Sequence, residues 1–169
     1  MASKIVCKKS AQVGFSTAAI FKSLYAAKYR GLNIIYTLPT FDDIKDFVPS
    51  KVDPIISSNP TIVRMMGEVN AMQKKQIGNQ FIFYRGTHAE KAALAHTSDL
   101  NIYDEKDASN RSVIDMYASR LQASKYKGEW MFSNPTMPEF GIADDYERSD
   151  KRRWMVKCSH CNEYQSLDY

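Results

Sequence analysis

The chain opens on a short apolar run, Ile5-Val6-Cys7, that gives way to a polar turn over residues 8–14. Over 16–29 apolar residues recur at helical spacing, at Ala19, Ile20, Leu24 and Ala27, so the pattern predicts strand, turn, helix. Gly31 stands where that helix should end, and 32–37 reads as the next strand, closed by Pro39 before an Asp-rich helix from Thr40. Residues 49–78 carry no clear period. Beyond them the pattern predicts a strand over 80–84, a short Ala-rich helix over 89–96, a strand over 99–103, a helix over 111–124 and a strand over 129–132. Strands alternating with helices predict an α/β fold, a mainly parallel sheet with helices on both faces. From Asp144 the texture turns charged, and 153–157, Cys158-Ser159-His160-Cys161 and 163–165 predict a small hairpin carrying a knuckle. The expected division is a core over 1–143 and an appended hairpin over 144–169, with the end at Tyr169 reading as a cut in something longer.

Composition narrows the class without naming a function. At 169 residues and 44% hydrophobic, the chain suits one packed domain rather than a disordered tail. A net charge of +4 permits an anionic partner such as nucleic acid but is a weak field for a whole domain. Three cysteines and no signal-like N-terminus point to a reducing compartment, which makes the sequon Asn110-Arg111-Ser112 accidental. Apolar stretches are broken by Lys28, Arg30 and Asp42, so no membrane span is expected.

Parallel sheets bind ligands beyond the carboxyl ends of their strands, and the unusual residues fall in those turns. Lys9, Ser10, Ala11, Gln12, Val13, Gly14, Phe15, Ser16 and Thr17 lie between strand and helix, where a phosphate-binding loop belongs. They match G-x-x-x-x-G-K-[ST] imperfectly. Gly14 and Ser16 fit, Phe15 takes the lysine position and Lys9 the first glycine's. Lys9 can supply the cation from the other end of the loop, because a four-carbon stem carries a point charge from more than one backbone position. A Ser/Ala/Gly turn that merely caps the helix is the alternative. Asp104-Glu105, at the end of a predicted strand, is where phosphoryl transfer needs carboxylates, Asp104 for the Mg²⁺ shell and Glu105 to polarise the attacking water. The same pair would also suit a helix N-terminus. Asn101 is a blemish in a central strand that should be apolar, and Ser133-Asn134-Pro135-Thr136 offers hydroxyl and amide groups that could sense a γ-phosphate.

Taken together these motifs resemble the ATPase domain of tailed-phage terminase large subunits, and within it the lambda-like branch. The resemblance rests on Lys9 to Ser16 as K-S-A-x-V-G-[FY]-S, the acidic pair Asp104-Glu105, and the Ser-x-Pro-Thr segment Ser133 to Thr136. It also rests on Asp150-Lys151-Arg152-Arg153-Trp154 leading to Cys158-Ser159-His160-Cys161. The resemblance implies a P-loop NTPase of the ASCE type that couples hydrolysis of ATP with Mg²⁺ to translocation of double-stranded DNA into a procapsid. It assigns the phosphate-loop lysine role to Lys9, the Mg²⁺ hydroxyl to Ser16 or Thr17, metal and water roles to Asp104 and Glu105, and coupling to Ser133, Asn134 and Thr136. It further implies a homo-oligomeric ring on the portal protein, a small terminase subunit as partner, and a place in the host cytoplasm. The family's upstream adenine segment and its nuclease domain have no counterpart in these residues. A helicase-like DNA-dependent ATPase, or a non-catalytic nucleic-acid-binding module with a decayed loop, are the competing readings; Phe15 favours the second.

Cys158 and Cys161 have the spacing of half a zinc site, against two free thiols on a hairpin. His88 and His96 form no metal motif. Lys74, Lys75, Lys125, Lys127 and Lys151 to Arg153 are candidate phosphate contacts, though a solvated surface explains them as well. Arg85, Arg111 and Arg120 are candidates for an arginine reaching a neighbour's nucleotide. Met65, Met66 and Met72 are expected to fill core or to belong to a mobile lobe.

Overall fold

The computed structural model describes residues 4–88 and 90–166. Seven strands form one sheet in the order β1-β7-β6-β2-β5-β4-β3. The strands are β1 Lys4–Lys8, β2 Ile34–Leu38, β3 Met66–Ala71, β4 Lys74–Ile77, β5 Gln80–Gly86, β6 Leu100–Asp104 and β7 Gly128–Ser133. From β1 to β5 every neighbour is parallel, and β4 and β3 add an antiparallel edge. The predicted mainly parallel α/β sheet is therefore present.

Alternation along the strands divides the core. On β2, Ile34, Tyr36 and Leu38 face one layer, built on α1 Phe15–Arg30, α2 Phe41–Phe47, a π-helical turn Val48–Val52, α3 Asp53–Ser57 and α4 Pro60–Val63. Ile35 faces the other, with α5 Glu90–Ala93, α6 Arg111–Ser119 and α7 Ile142–Glu147. Helix α1 buries Ile20 and Leu24 against the sheet, each worth about 2 kcal/mol, and Gly31 at φ 65° ends it where the sequence placed the stop. A charge at Ile20 would break this layer.

Several sequence expectations need correction. The helix over 111–124 stops at Ser119, and 120–123 turns. The one over 89–96 is helical only at Glu90–Ala93; Ala89 lies outside the described residues. Asn101 is no blemish: buried beside α6, its amide donates to Tyr117 O at 2.8 Å and Tyr103 Oη at 3.0 Å, and its Oδ1 accepts from Ser98. Lys75 is no phosphate contact, because it is buried and paired with Asp53. Met65, Met66 and Met72 pack on the core as expected. Helix α7, which the pattern did not announce, crosses the 143/144 boundary and packs on β1 and β7. Beyond it β8 Met155–Lys157 and β9 Tyr164–Ser166 form the expected hairpin.

Candidate active site

The register brings the carboxyl ends of β1, β7 and β6 side by side. Lys8 pairs with Ser133, Asp104 pairs with Phe132, and the Lys9 N–H donates to Ser133 O at 3.0 Å. Lys9, Ser133 and the acidic pair thus share one rim, where a parallel sheet offers its ligand crevice. The loop from Lys9 curls through Gln12 at φ 59° to Gly14 at φ 77°, ψ 10°, a left-handed position that favours glycine although a Cβ there would meet nothing within 4 Å. No side chain caps α1, a 16-residue helix with no acidic residue in its first turn. Its first N–H groups and its dipole therefore face the loop unopposed, the arrangement that receives a phosphate.

Lys9 crosses this loop to the acidic pair: its Nζ lies 2.7 Å from Glu105 Oε1. The swap of lysine to the start of the loop thus still delivers a cation to the rim. Phe15, in the position a phosphate-loop lysine usually holds, instead tilts against Phe132 of β7 with ring centroids 5.6 Å apart. That packing role explains an aromatic residue there without invoking decay.

Asp104 is buried and Tyr36 donates to its Oδ2 at 2.8 Å, while Oδ1 accepts no hydrogen bond. Burial raises its carboxyl above the ordinary value, against the lowering influence of the Ser16 and Tyr36 hydroxyls and Lys9. A buried carboxylate with one unpartnered oxygen beside a serine hydroxyl is the donor set a hard divalent cation takes, so the residues fit Mg²⁺. Glu105 adopts φ 53°, ψ 50°, left-handed for a non-glycine residue, and starts a 3-10 turn Lys106–Ala108 rather than capping α6, which Asn110 caps. Such strain is held only where surroundings over-determine it, and it turns the Glu105 side chain back toward Lys9.

Sequence reasoning missed Tyr36 and Asp107. Tyr36 has a readable signal, a phenol in an apolar strand that must find a partner. Asp107 accepts from Thr136 N and Ile142 N and has none, since both partners lie about thirty residues away. Of the residues expected to couple, Ser133 and Thr136 reach Asp107, whereas among the described residues Asn134 is met only through its carbonyl, by Ser133 Oγ.

The other candidates lie elsewhere. Arg85 donates to Gln73 O and Tyr84 O, Arg111 stacks over Phe140, and Arg120 meets Ser119. His96 stacks on Phe83 at 4.1 Å. Cys158 Sγ accepts the His160 N–H at 3.4 Å, and among the described residues no third His, Cys, Asp or Glu gathers with Cys158 and Cys161. Among those residues no helix is long and apolar enough to cross a membrane.

Comparison with known proteins agrees with the fold. The chain superposes on the HK97 bacteriophage large terminase with a TM-score of 0.73 at 12% identity, covering 87% of this chain and 33% of that one. The large terminase ATPase domain of Thermus phage P74-26 gives 0.69 at 12% identity over 99% of this chain and 73% of that one. The bacteriophage phi-29 viral genome packaging motor assembly gives 0.58 at 9% identity, over 98% and 53%. These likenesses show a shared fold, and this chain spans a third of the HK97 protein. Among curated proteins no sequence matches. The family model of the phage terminase large subunit gpA, ATPase domain, matches residues 1–169, the whole sequence, and the chain belongs to that family.

Proposed function

We propose that this chain hydrolyses ATP at the rim formed by Lys9, Ser16, Asp104 and Glu105, as the motor domain that drives double-stranded DNA into a procapsid. The observation that carries the reading is the Lys9–Glu105 pair at 2.7 Å, set between an uncapped helix N-terminus and a buried carboxylate with a free oxygen. The triphosphate lies along residues 9–17, its oxygens taking the α1 N–H groups. Mg²⁺, held by Ser16 and Asp104, would supply charge neutralisation at the phosphate oxygens. Without nucleotide, Lys9 and Glu105 satisfy each other. An arriving phosphate competes for Lys9, which frees Glu105 to orient the attacking water and draw its proton. The ion pair is thus a resting state that substrate opens, and Lys9 then faces the negative charge that develops in the transition state. Ser133, Asn134 and Thr136, a segment whose two ends meet Asp107 two residues past Glu105, register whether the terminal phosphate is present.

The proposal includes the partners the packaging reading requires: duplex DNA, a portal-bearing procapsid, a small subunit and further copies in a ring, in the host cytoplasm. It keeps the core over 1–143 and the appended hairpin over 144–169 as functional parts, joined by α7. It reaches zinc only as half a site, since Cys158 and Cys161 supply two of the four ligands of a tetrahedral ion.

The test is Mg²⁺-dependent ATP turnover with and without duplex DNA. Lys9→Ala should abolish it and Lys8→Ala should leave most of it, while Glu105→Gln should keep Mg·ATP binding and lose turnover. Equal effects from the two lysines, or loss of binding in Glu105→Gln, would remove the assignment.

A further inference from the structure

The turn after β6 is tied to the turn after β7 by one side chain. Asp107, two residues past Glu105, accepts the Ile142 N–H on Oδ1 at 2.7 Å and the Thr136 N–H on Oδ2 at 3.2 Å. The Thr136 hydroxyl lies 3.5 Å from the same oxygen, and Asp107's own N–H donates to Ser133 Oγ at 3.2 Å. One residue therefore holds both ends of the segment Ser133 to Thr136 and the first N–H of α7.

Gly141, the residue before α7, provides no cap of its own. It sits at φ 58°, ψ −124°, and a Cβ there would meet Asp107 Oδ1 at 2.2 Å. Both the backbone and the close approach exclude a side chain, so the helix start is shaped around the Asp107 carboxylate. One residue before Asp107, Lys106 pairs with Asp145 one turn into the same helix, both side chains largely buried. Directly after the strained Glu105, two consecutive residues thus grip α7. That helix packs on β1 and β7, and Tyr146 on it donates to Arg152 O on the way to the hairpin.

We propose that Asp107 is a positioning residue that couples the Glu105 turn to α7, and through α7 to the segment leading into the β8–β9 hairpin. A packed helix clamped at its start moves with the turn that clamps it, so a rearrangement of Glu105 on nucleotide binding is delivered to α7 instead of dissipating in a loop. This inference rests on the nucleotide reading of residues 9–17 and adds where its signal goes.

Hydrogen exchange on the 169-residue chain, with Mg²⁺ and a non-hydrolysable ATP analogue, tests it. In the parent, the analogue should slow exchange over both 9–17 and 142–147. In Asp107→Asn one of the two N–H donors faces an NH₂ group, so slowing over 9–17 should persist while that over 142–147 falls at least about threefold. In turnover the same variant should lose about tenfold in kcat with KM within about twofold, a split that loss of general structure would not give. Gly141→Ala attacks the contact from the other side and should reproduce the effect without adding to it. It also decides the matter should Asp107→Asn fail to fold. Slowing over 142–147 that survives in either folded variant overturns the proposal, as does a parent slowed at 9–17 but not at 142–147. A parent slowed nowhere removes the nucleotide reading itself, and the coupling with it.

Discussion

Two lysines with covered side chains lie toward opposite ends of this sheet, and their surroundings differ. Lys75, on the antiparallel edge, is 2% exposed, and its Nζ donates to Asp53 Oδ1 at 2.6 Å and Asn70 Oδ1 at 2.7 Å. Lys9, on the proposed nucleotide rim, has a side chain 6% exposed, and among the described residues it donates to Glu105 alone. The acids are alike too, Asp53 being 44% and Glu105 42% exposed. What separates the sites is unused capacity. An ammonium has three donors; the hairpin edge engages two, while the rim leaves two free beside bare helix N–H groups and an unpartnered Asp104 oxygen. Structural polar groups are satisfied by the protein, and those that await a ligand are left short.

Exchanging each lysine for methionine should separate the roles. Lys9→Met should cost turnover roughly 10³-fold while hardly moving Tm, because half-exposed Glu105 can turn to water. Lys75→Met should leave KM and kcat for ATP near the parent's. It strips the donor from Asn70 and Asp53, for a loss of about 2 kcal/mol, or roughly 6 °C in Tm. Turnover assays and thermal melts on both variants check this. Turnover lost in Lys75→Met with a normal melt would erase the distinction.

The same contrast governs what the sequence could reveal. The rim was legible because its residues sit in local motifs at strand ends: Lys9 to Thr17 flank a clear strand and helix, and Asp104-Glu105 follow an apolar run. The parallel strands were legible because burial on both faces makes them continuous, as in Ile34-Ile35-Tyr36 and Leu100 to Tyr103. The hairpin β3–β4 was not, since Lys74-Lys75-Gln76 reads as solvated until Asp53 arrives from α3 to join Asn70, which faces Lys75 across the hairpin. Helix α7 hid for another reason. Six residues with Ile142 alone fully buried leave no period to detect. Tyr36 to Asp104 and Asp107 to Ile142 are pairings across the fold, and no local pattern encodes them.

The rim's unused capacity should show as a stability cost. Asp104→Asn keeps an acceptor for Tyr36 and removes a buried charge, so Tm in the absence of Mg²⁺ should rise by a few degrees, on the order of 1 kcal/mol. Mg²⁺ should stabilise the parent and not the variant. A fall in Tm for Asp104→Asn would mean that the carboxylate holds the fold together as Asp53 does, and the contrast between the ends would be lost.

The smallest effect lies at the hairpin end, where positive charge crowds. His96 stacks on Phe83 at an interplanar angle of 9°, and Lys74 and Arg85 stand over the same ring. Burial first, then Arg85 and Lys74, hold the imidazole below its ordinary value of 6.5. The neutral ring is therefore favoured by the fold. As pH drops below about 6.5 the unfolded chain takes up a proton that the folded one refuses, so stability falls, and the loss is complete once pH passes the lowered folded value. His96→Phe keeps the stack and removes the titration. The difference in unfolding free energy between parent and variant should grow from near zero at pH 7.5 to a small deficit in the parent at pH 5, because the ring is only partly buried and solvent screens the neighbouring cations. Denaturant melts at both pH values measure it. A difference of the opposite sign would place an acid near His96 and make this edge a second site of unspent charge.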